Sequence, residues 1–393
     1  MKRTKAMNTA RTKAGIYIHI PFCVKKCDYC AFLSFAPDDE MHRRYSDALV
    51  KETELRRGEA GEADTVYFGG GTPSLLEPSE TERILDAVVK NNSVSAGAEI
   101  TIEANPATLS SEKLRAYRSM GINRLSIGVQ SMDDGRLKAL GRIHDAEAVT
   151  RDIEAARGAG FDNISADIIF SIPGSEAEDA LSDLRRVIDL GPDHISFYGL
   201  QLEEGTPFFE RFECGALKEV DDETDRESYR LGCELLERFG YEHYEISNFA
   251  LPGKRSRHNS KYWDMSEYLG LGLGASSFIK GSSPYGVRIV NEGDPEKYIE
   301  MTGRGEKHFA EMHENTERDY VSEAMFTGLR RKEGVDLRDI FEEGRAGFEA
   351  YFSDVLPEIE SFCETGHLHL SDDRICLTAK GIDISNRIMA LFV

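Results

Sequence analysis

From residue 15 to about residue 205, short apolar runs rich in β-branched residues alternate with stretches whose apolar positions recur at helical spacing. The runs are GIYIHIPF, DTVYFGGG, EITIEANP, RLSIGVQS, NISADIIF and HISFYGLQ. Stretches such as MHRRYSDALVKETELRR, PSETERILDAVVKN and SEAEDALSDLRRVIDLG lie between them. Strands apolar on both faces, joined by amphipathic helices, predict a parallel sheet with helical crossovers. Six such units fit a barrel or partial barrel, and alternation alone does not separate these from a doubly wound open sheet. A further helix is predicted near 222–239, followed by YEHYEISNFALPG, the glycine-rich LGLGLGASSF (269–278) and period-breaking loops. The last stretch, from about 310, predicts two helices. GHLHLSDDRICLTAKGIDISNRIM then reads as strand, Asp-Asp turn, strand and helix.

Composition narrows the class. A chain of 393 residues, 40% hydrophobic and 30% charged, can bury a large core and has the balance of a soluble globular protein. No apolar run approaches the roughly 18 residues of a membrane span, and MKRTKAMNTARTKA (1–14) reads as a basic, disordered tail without a secretory core. The 48 Lys and Arg against 70 Asp and Glu leave a net charge of −22. That balance argues against nucleic acid as a partner, and it makes the wing-like C-terminal segment a packing or lid module. Seven cysteines without an export signal point to a reducing cytoplasm and thiol chemistry rather than disulfides.

Three of those cysteines stand together in CVKKCDYCAF (23–32), directly after the first strand, spaced C-x3-C-x2-C. No fourth Cys or His follows at the spacing of a structural zinc site. Soft thiolates select iron–sulfur clusters, and three of them hold three irons of a [4Fe–4S] cube and leave one iron open. Cys214, Cys233, Cys363 and Cys376 are scattered and read as small buried hydrophobes. YFGGGTPS (67–74) ends the second strand with glycines that admit a ligand close to the backbone. Glu103, Gln130 and Asp167 fall in or at the ends of the third, fourth and fifth strands, the end where barrel enzymes collect function.

The cysteine loop together with the GGGT stretch resembles the radical S-adenosylmethionine (SAM) superfamily. In that family SAM chelates the open iron, and one electron from the cluster cleaves it to a 5′-deoxyadenosyl radical. YIHIPFC, FGGGTPS, EANPATLSSEKL, GINRLSIGVQSMDD, LGRIH, SIPG and EEGTPF resemble more narrowly the oxygen-independent coproporphyrinogen III dehydrogenase family. The resemblance implies an α/β fold: a partial (β/α)6 radical SAM barrel over 15–240, a connecting segment over 241–309, and a smaller α+β C-terminal HemN-type domain over 310–393. It implies a cluster on Cys23, Cys27 and Cys30, and SAM contacts from Tyr17, Gly70, Gly71, Thr72, Glu103, Gln130, Arg142 and Asp167. Some of these serve a second SAM in the true dehydrogenases.

Two features select a branch. The dehydrogenases carry a further Cys two residues after the third, where this chain has Cys30-Ala31-Phe32. RHNSKYWDM (257–265) and YEISNFALPG match the HNxxYW branch of HemW heme chaperones. That branch implies heme as a cargo, heme-acceptor proteins as partners, and room for peripheral contact with membrane heme proteins and for a homodimer. His258 has two readings: a heme ligand, or a hydrogen-bonding residue that pins a loop. Relatives read Gly-Ala-His where this chain has Gly274-Ala275-Ser276, which puts any heme contact there in doubt. The alternative function is coproporphyrinogen III dehydrogenation, in which the radical oxidatively decarboxylates propionate side chains.

Overall fold

The computed structural model describes residues 4–6 and 13–393. Six strands, β1 (Ala14–Ile20), β2 (Glu62–Gly70), β3 (Ser93–Ala104), β4 (Arg124–Gln130), β5 (Ile164–Phe170) and β6 (His194–Gly199), pair in parallel in chain order. The expected partial barrel is present. Ile16, Ile18 and Ile20 of β1 are fully buried, as are Leu125, Ile127 and Val129 of β4, each apolar side chain contributing about 1.5–3 kcal/mol of burial. Helices close each crossover. Asp39–Leu55, for example, is capped by Asp38, whose carboxylate accepts from the Met41 N–H at 2.8 Å, and turns Tyr45, Ala48 and Leu49 inward.

The segment 241–309, expected as a connector, instead extends the same sheet. β7 (Glu242–Glu245) and β8 (Asn248–Ala250) form a hairpin whose β8 pairs antiparallel with β6. β9 (Tyr268–Leu271) returns to the other side of β1 and pairs with it in parallel, Gly15 opposite Tyr268. β10 (Ser276–Ile279), β11 (Val287–Asn291) and β12 (Phe309–Glu314) continue antiparallel from there, giving twelve strands in the order β12-β11-β10-β9-β1-β2-β3-β4-β5-β6-β8-β7. A buried carboxylate fixes this return. Glu52 accepts from the Gly272 N–H (2.7 Å), the Asn291 amide (2.8 Å) and the Tyr298 hydroxyl (2.8 Å), and neighbouring Arg56 donates to the Gly270 carbonyl (2.7 Å).

The C-terminal part builds a second core from Val321, Met325, Leu329, Phe341, Phe348, Phe352, Ile359 and Ile375. Its three-stranded sheet has β13 (Val335–Asp336), β14 (Leu368–Leu370) and β15 (Arg374–Leu377) in the order β13-β15-β14. It is stitched to the large sheet: Ile246 N–H donates to the Arg330 carbonyl at 3.0 Å, and Arg330 pairs with buried Glu245 at 3.4 Å. Of the expected disordered tail, residues 1–3 and 7–12 lie outside the described residues. Thr4 bridges Phe341, and the Lys5 N–H donates to the Ile340 carbonyl at 2.7 Å, so Thr4 and Lys5 are docked. Among the described residues no helix is long and apolar enough to cross a membrane.

Candidate cofactor site at the barrel mouth

The chain leaves β1 through Phe22, whose buried ring stacks on His42 with centroids 4.3 Å apart. The loop that follows is closed at its stem. Cys23 N–H donates to the Phe35 carbonyl at 2.9 Å, and Phe35 N–H to the Pro21 carbonyl at 2.8 Å. Beneath it runs the glycine turn after β2. Gly71 N–H donates to the Ile20 carbonyl at 2.9 Å, and a Cβ on Gly71 would lie 2.7 Å from the Phe22 carbonyl oxygen. Gly70 adopts φ +117°, which a side chain would strain.

Cys23, Cys27 and Cys30 all line a cavity of about 570 Å³. Thr72 Oγ1 sits 3.6 Å from Cys23 Sγ and accepts from the Asn105 amide at 2.7 Å. Arg142 donates toward Cys27 Sγ at 3.4 Å, to Asn105 Oδ1 at 2.5 Å and to the Gly128 carbonyl at 2.9 Å. A permanent cation thus stands beside one thiol and ties the loop to β3 and β4. Burial pushes the Cys30 thiol up, and charge on Cys27 and Cys23 pushes it further. Among the described residues no three His, Cys, Asp or Glu side chains gather around one point as ligands of a single ion. Three soft thiols on one loop are the donor chemistry that suits three corners of an iron–sulfur cube.

Deeper in the cavity the walls turn polar. Glu103 accepts from the Tyr67 hydroxyl at 2.8 Å and the Gly70 N–H at 3.1 Å. Burial nevertheless raises its carboxyl to about 7, with Asp167 adding to the rise. Asp167 is also raised by burial, although Ser126 and Ser165 donate to it at 3.3 and 3.4 Å. Arg124 lines the same space, and its Nε and Nη1 are buried without a hydrogen-bond partner. Gln130 holds φ +65°, uncommon for a residue with a side chain, and receives the Tyr198 hydroxyl at 3.5 Å.

Of the residues expected at the site, Gly70, Gly71, Thr72, Glu103, Gln130, Arg142, Asp167 and the three cysteines line this one cavity. Tyr17 does not reach its wall; its ring stacks on Tyr67 at 6.2 Å and its hydroxyl lies 3.0 Å from His19 Nδ1. Ser276 stands exposed at the start of β10. His258, expected on a loop in the pinning reading, lies instead on a helix, Arg257–Trp263. Ser256 caps that helix and the imidazole turns inward, 1% exposed. Its Nδ1 shares a hydrogen bond with Thr65 Oγ1 at 2.8 Å and its Nε2 with the Tyr262 hydroxyl at 3.0 Å. Burial lowers its pKa to about 3. Both ring nitrogens are engaged, so in this arrangement neither is free for an iron, and the geometry is that of a pin between helix and β2.

Sequence reasoning missed Tyr29, Asn105, Arg124, Tyr198, Asn248 and Asn259 on the cavity wall. A signal existed. In RLSIGVQ the alternate positions Arg124, Ser126, Gly128 and Gln130 all face the cavity, a polar period-2 face that a strand apolar on both sides would lack.

The chain matches the radical SAM superfamily over residues 17–187 and the HemN C-terminal domain over residues 315–384. It is 33% identical to the heme chaperone HemW of Lactococcus lactis over 96% of both chains. It is likewise 33% identical to the HemW of Bacillus subtilis over 96% of this chain and 98% of that one. The HemW of Escherichia coli is 39% identical over 66% of this chain and 69% of its own. The solved structure of E. coli coproporphyrinogen III oxidase (HemN), a radical SAM enzyme, superposes with a TM-score of 0.82 at 23% identity, covering 98% of this chain and 91% of that one, and so shares the fold. A cysteine loop over a glycine turn, at the mouth of a six-stranded partial barrel, and likeness along nearly the whole chain agree: the protein belongs to the HemW family of the radical SAM superfamily.

Proposed function

We propose that this chain is a cytosolic heme chaperone of the HemW type, which binds heme and hands it to acceptor proteins. The observation that carries this is the end-to-end likeness to two HemW chaperones, joined by Phe32 at the position of the dehydrogenases' accessory Cys. Cys23, Cys27 and Cys30 would hold a [4Fe–4S] cluster, and Gly70, Gly71, Thr72, Glu103, Gln130, Arg142 and Asp167 would surround SAM. When bound, the pair would supply one-electron chemistry or a ligand-sensing state. The chain's own part is to tie the loop through Arg142 and Asn105, to present backbone at the glycine turn, and to keep a buried carboxyl, Glu103, poised near neutrality.

The test is a heme titration of the anaerobically reconstituted protein, run beside an assay with SAM, reductant and coproporphyrinogen III. Saturable binding of about one heme per chain, transfer to an apo-hemoprotein and no protoporphyrinogen are expected. Conversion of coproporphyrinogen without heme binding overturns the proposal in favour of the dehydrogenase. Cys27→Ala should lose the roughly four irons of one cubane, and full retention of iron in that variant removes the ligand assignment.

A further inference from the structure

The proposed function leaves open where heme sits, because His258 is walled in by Thr65 and Tyr262. Among the described residues nine large apolar side chains are exposed; five are scattered, and four lie on the cluster loop or beside it. They are Phe32 (69% exposed), Val24 (61%), Leu33 (41%) and, after Arg142, Ile143 (63%). Val24 and Ile143 share a shallow cleft with Lys25, and Phe32 lines the main cavity with Lys25 and Lys26. An apolar rim of this kind marks a binding surface. Its charge is as informative. Lys25 and Lys26 are exposed and make no ion pair with any described carboxylate, although the chain carries 70 acidic residues against 48 basic ones.

Resting on the heme-chaperone reading, we propose that heme docks on the cluster loop at the rim of the cavity, its macrocycle against Phe32, Leu33, Val24 and Ile143 and its propionates toward Lys25 and Lys26. A planar ligand with an apolar body and two carboxylates at one edge matches an apolar rim flanked by two unpaired ammonium groups. The position also gives Phe32 a function of its own: the residue that replaces the accessory Cys of the dehydrogenases becomes part of the cargo's seat. The one imidazole that lines the cleft, His144, is buried with its Nε2 held by the Val129 carbonyl at 3.2 Å, so the iron is left accessible to a ligand from the acceptor, which suits a protein that must release what it carries.

The experiment compares hemin titrations of the full-length, cluster-loaded protein, read by the Soret band and by tryptophan quenching, with iron content as the check on folding. The variants are K25E/K26E, F32D, I143D and H258A. The expected result is affinity weakened roughly tenfold in each rim variant, steeper salt sensitivity in the wild type than in K25E/K26E, and near-wild-type affinity in H258A. I143D stands apart from the cysteine loop, so it keeps the test alive if F32D disturbs the cluster. Rim variants that bind hemin like the wild type overturn the docking site while leaving the chaperone reading intact. Absence of saturable hemin binding in the wild type overturns both. Wild-type hemin affinity in the rim variants together with impaired reduction of the cluster by a protein electron donor assigns the patch to that donor instead.

Discussion

Glu103 shows how far one side chain's environment decides its use. Its carboxyl, raised to about 7 by burial, is half neutral at the pH of a cell. A cationic or amino-bearing ligand prefers the ionised form, so SAM affinity should rise as pH passes from about 6 to 8, measured by the SAM-induced change in the reduced cluster's paramagnetic spectrum. Glu103→Gln should flatten that dependence; an unchanged slope in the variant places the titration elsewhere. The sign for stability is opposite. A carboxyl whose folded pKa exceeds its unfolded one takes up protons on folding between the two values, so its contribution is lost as pH rises toward 7. Ligand binding and stability therefore pull this residue in different directions. His258 belongs to the other class. His258→Ala strips Thr65 and Tyr262 of a buried partner and opens a void, at a cost of about 3 kcal/mol, visible as a lower thermal midpoint. A variant with full stability would mean that the imidazole does not pin the helix.

At the scale of elements, what positions the cofactor site is the stacking of two loops. Gly71 lies so close under Phe22 that a methyl group must push the cluster loop outward. Gly71→Ala should therefore lower iron content and SAM response while the far-ultraviolet circular dichroism stays native. Full iron loading in that variant would show that the loop has slack. The six parallel strands and the cysteine loop were legible from the sequence because burial on both faces and ligand spacing leave strong, local patterns. β9 was not. Its LGLG stretch has little strand propensity, and it becomes a strand only because β1 offers an unpaired edge and Glu52 and Arg56 tie down its backbone. Arg142 and the glycine turn were legible through motif resemblance, whereas Arg124 and Tyr198 depended on which face of β4 and β6 turned inward, something a curved sheet decides. The helical setting of His258 also escaped, since HNSKYW carries no apolar period and takes its helix from the Ser256 cap.

Over the whole molecule, the C-terminal part and the sheet meet at a polar seam. Glu245 is fully buried at the seam and depends on Arg330, the Ser247 N–H and the Asn248 amide for its solvation. Arg330→Ala leaves that carboxylate without its cation and should cost about 3 kcal/mol. Limited proteolysis should then cut between the two parts earlier than in the wild type, and an unaltered digestion pattern would show that the second core alone holds the seam.

The pairing of Gly15 with Tyr268 reaches from the first strand of the sheet to the ninth, and it has a temporal meaning. A ribosome adds about 5–20 residues per second, so the nascent β1 waits on the order of 10–50 s for the partner that covers its second edge. During that interval the strand next to the cysteine loop has a bare flank, the kind of edge that recruits foreign strands. Cluster insertion on so early a segment must either follow release of the finished chain or occur on a half-built sheet, and a holdase that shields β1 during synthesis would raise the yield of protein able to take up iron.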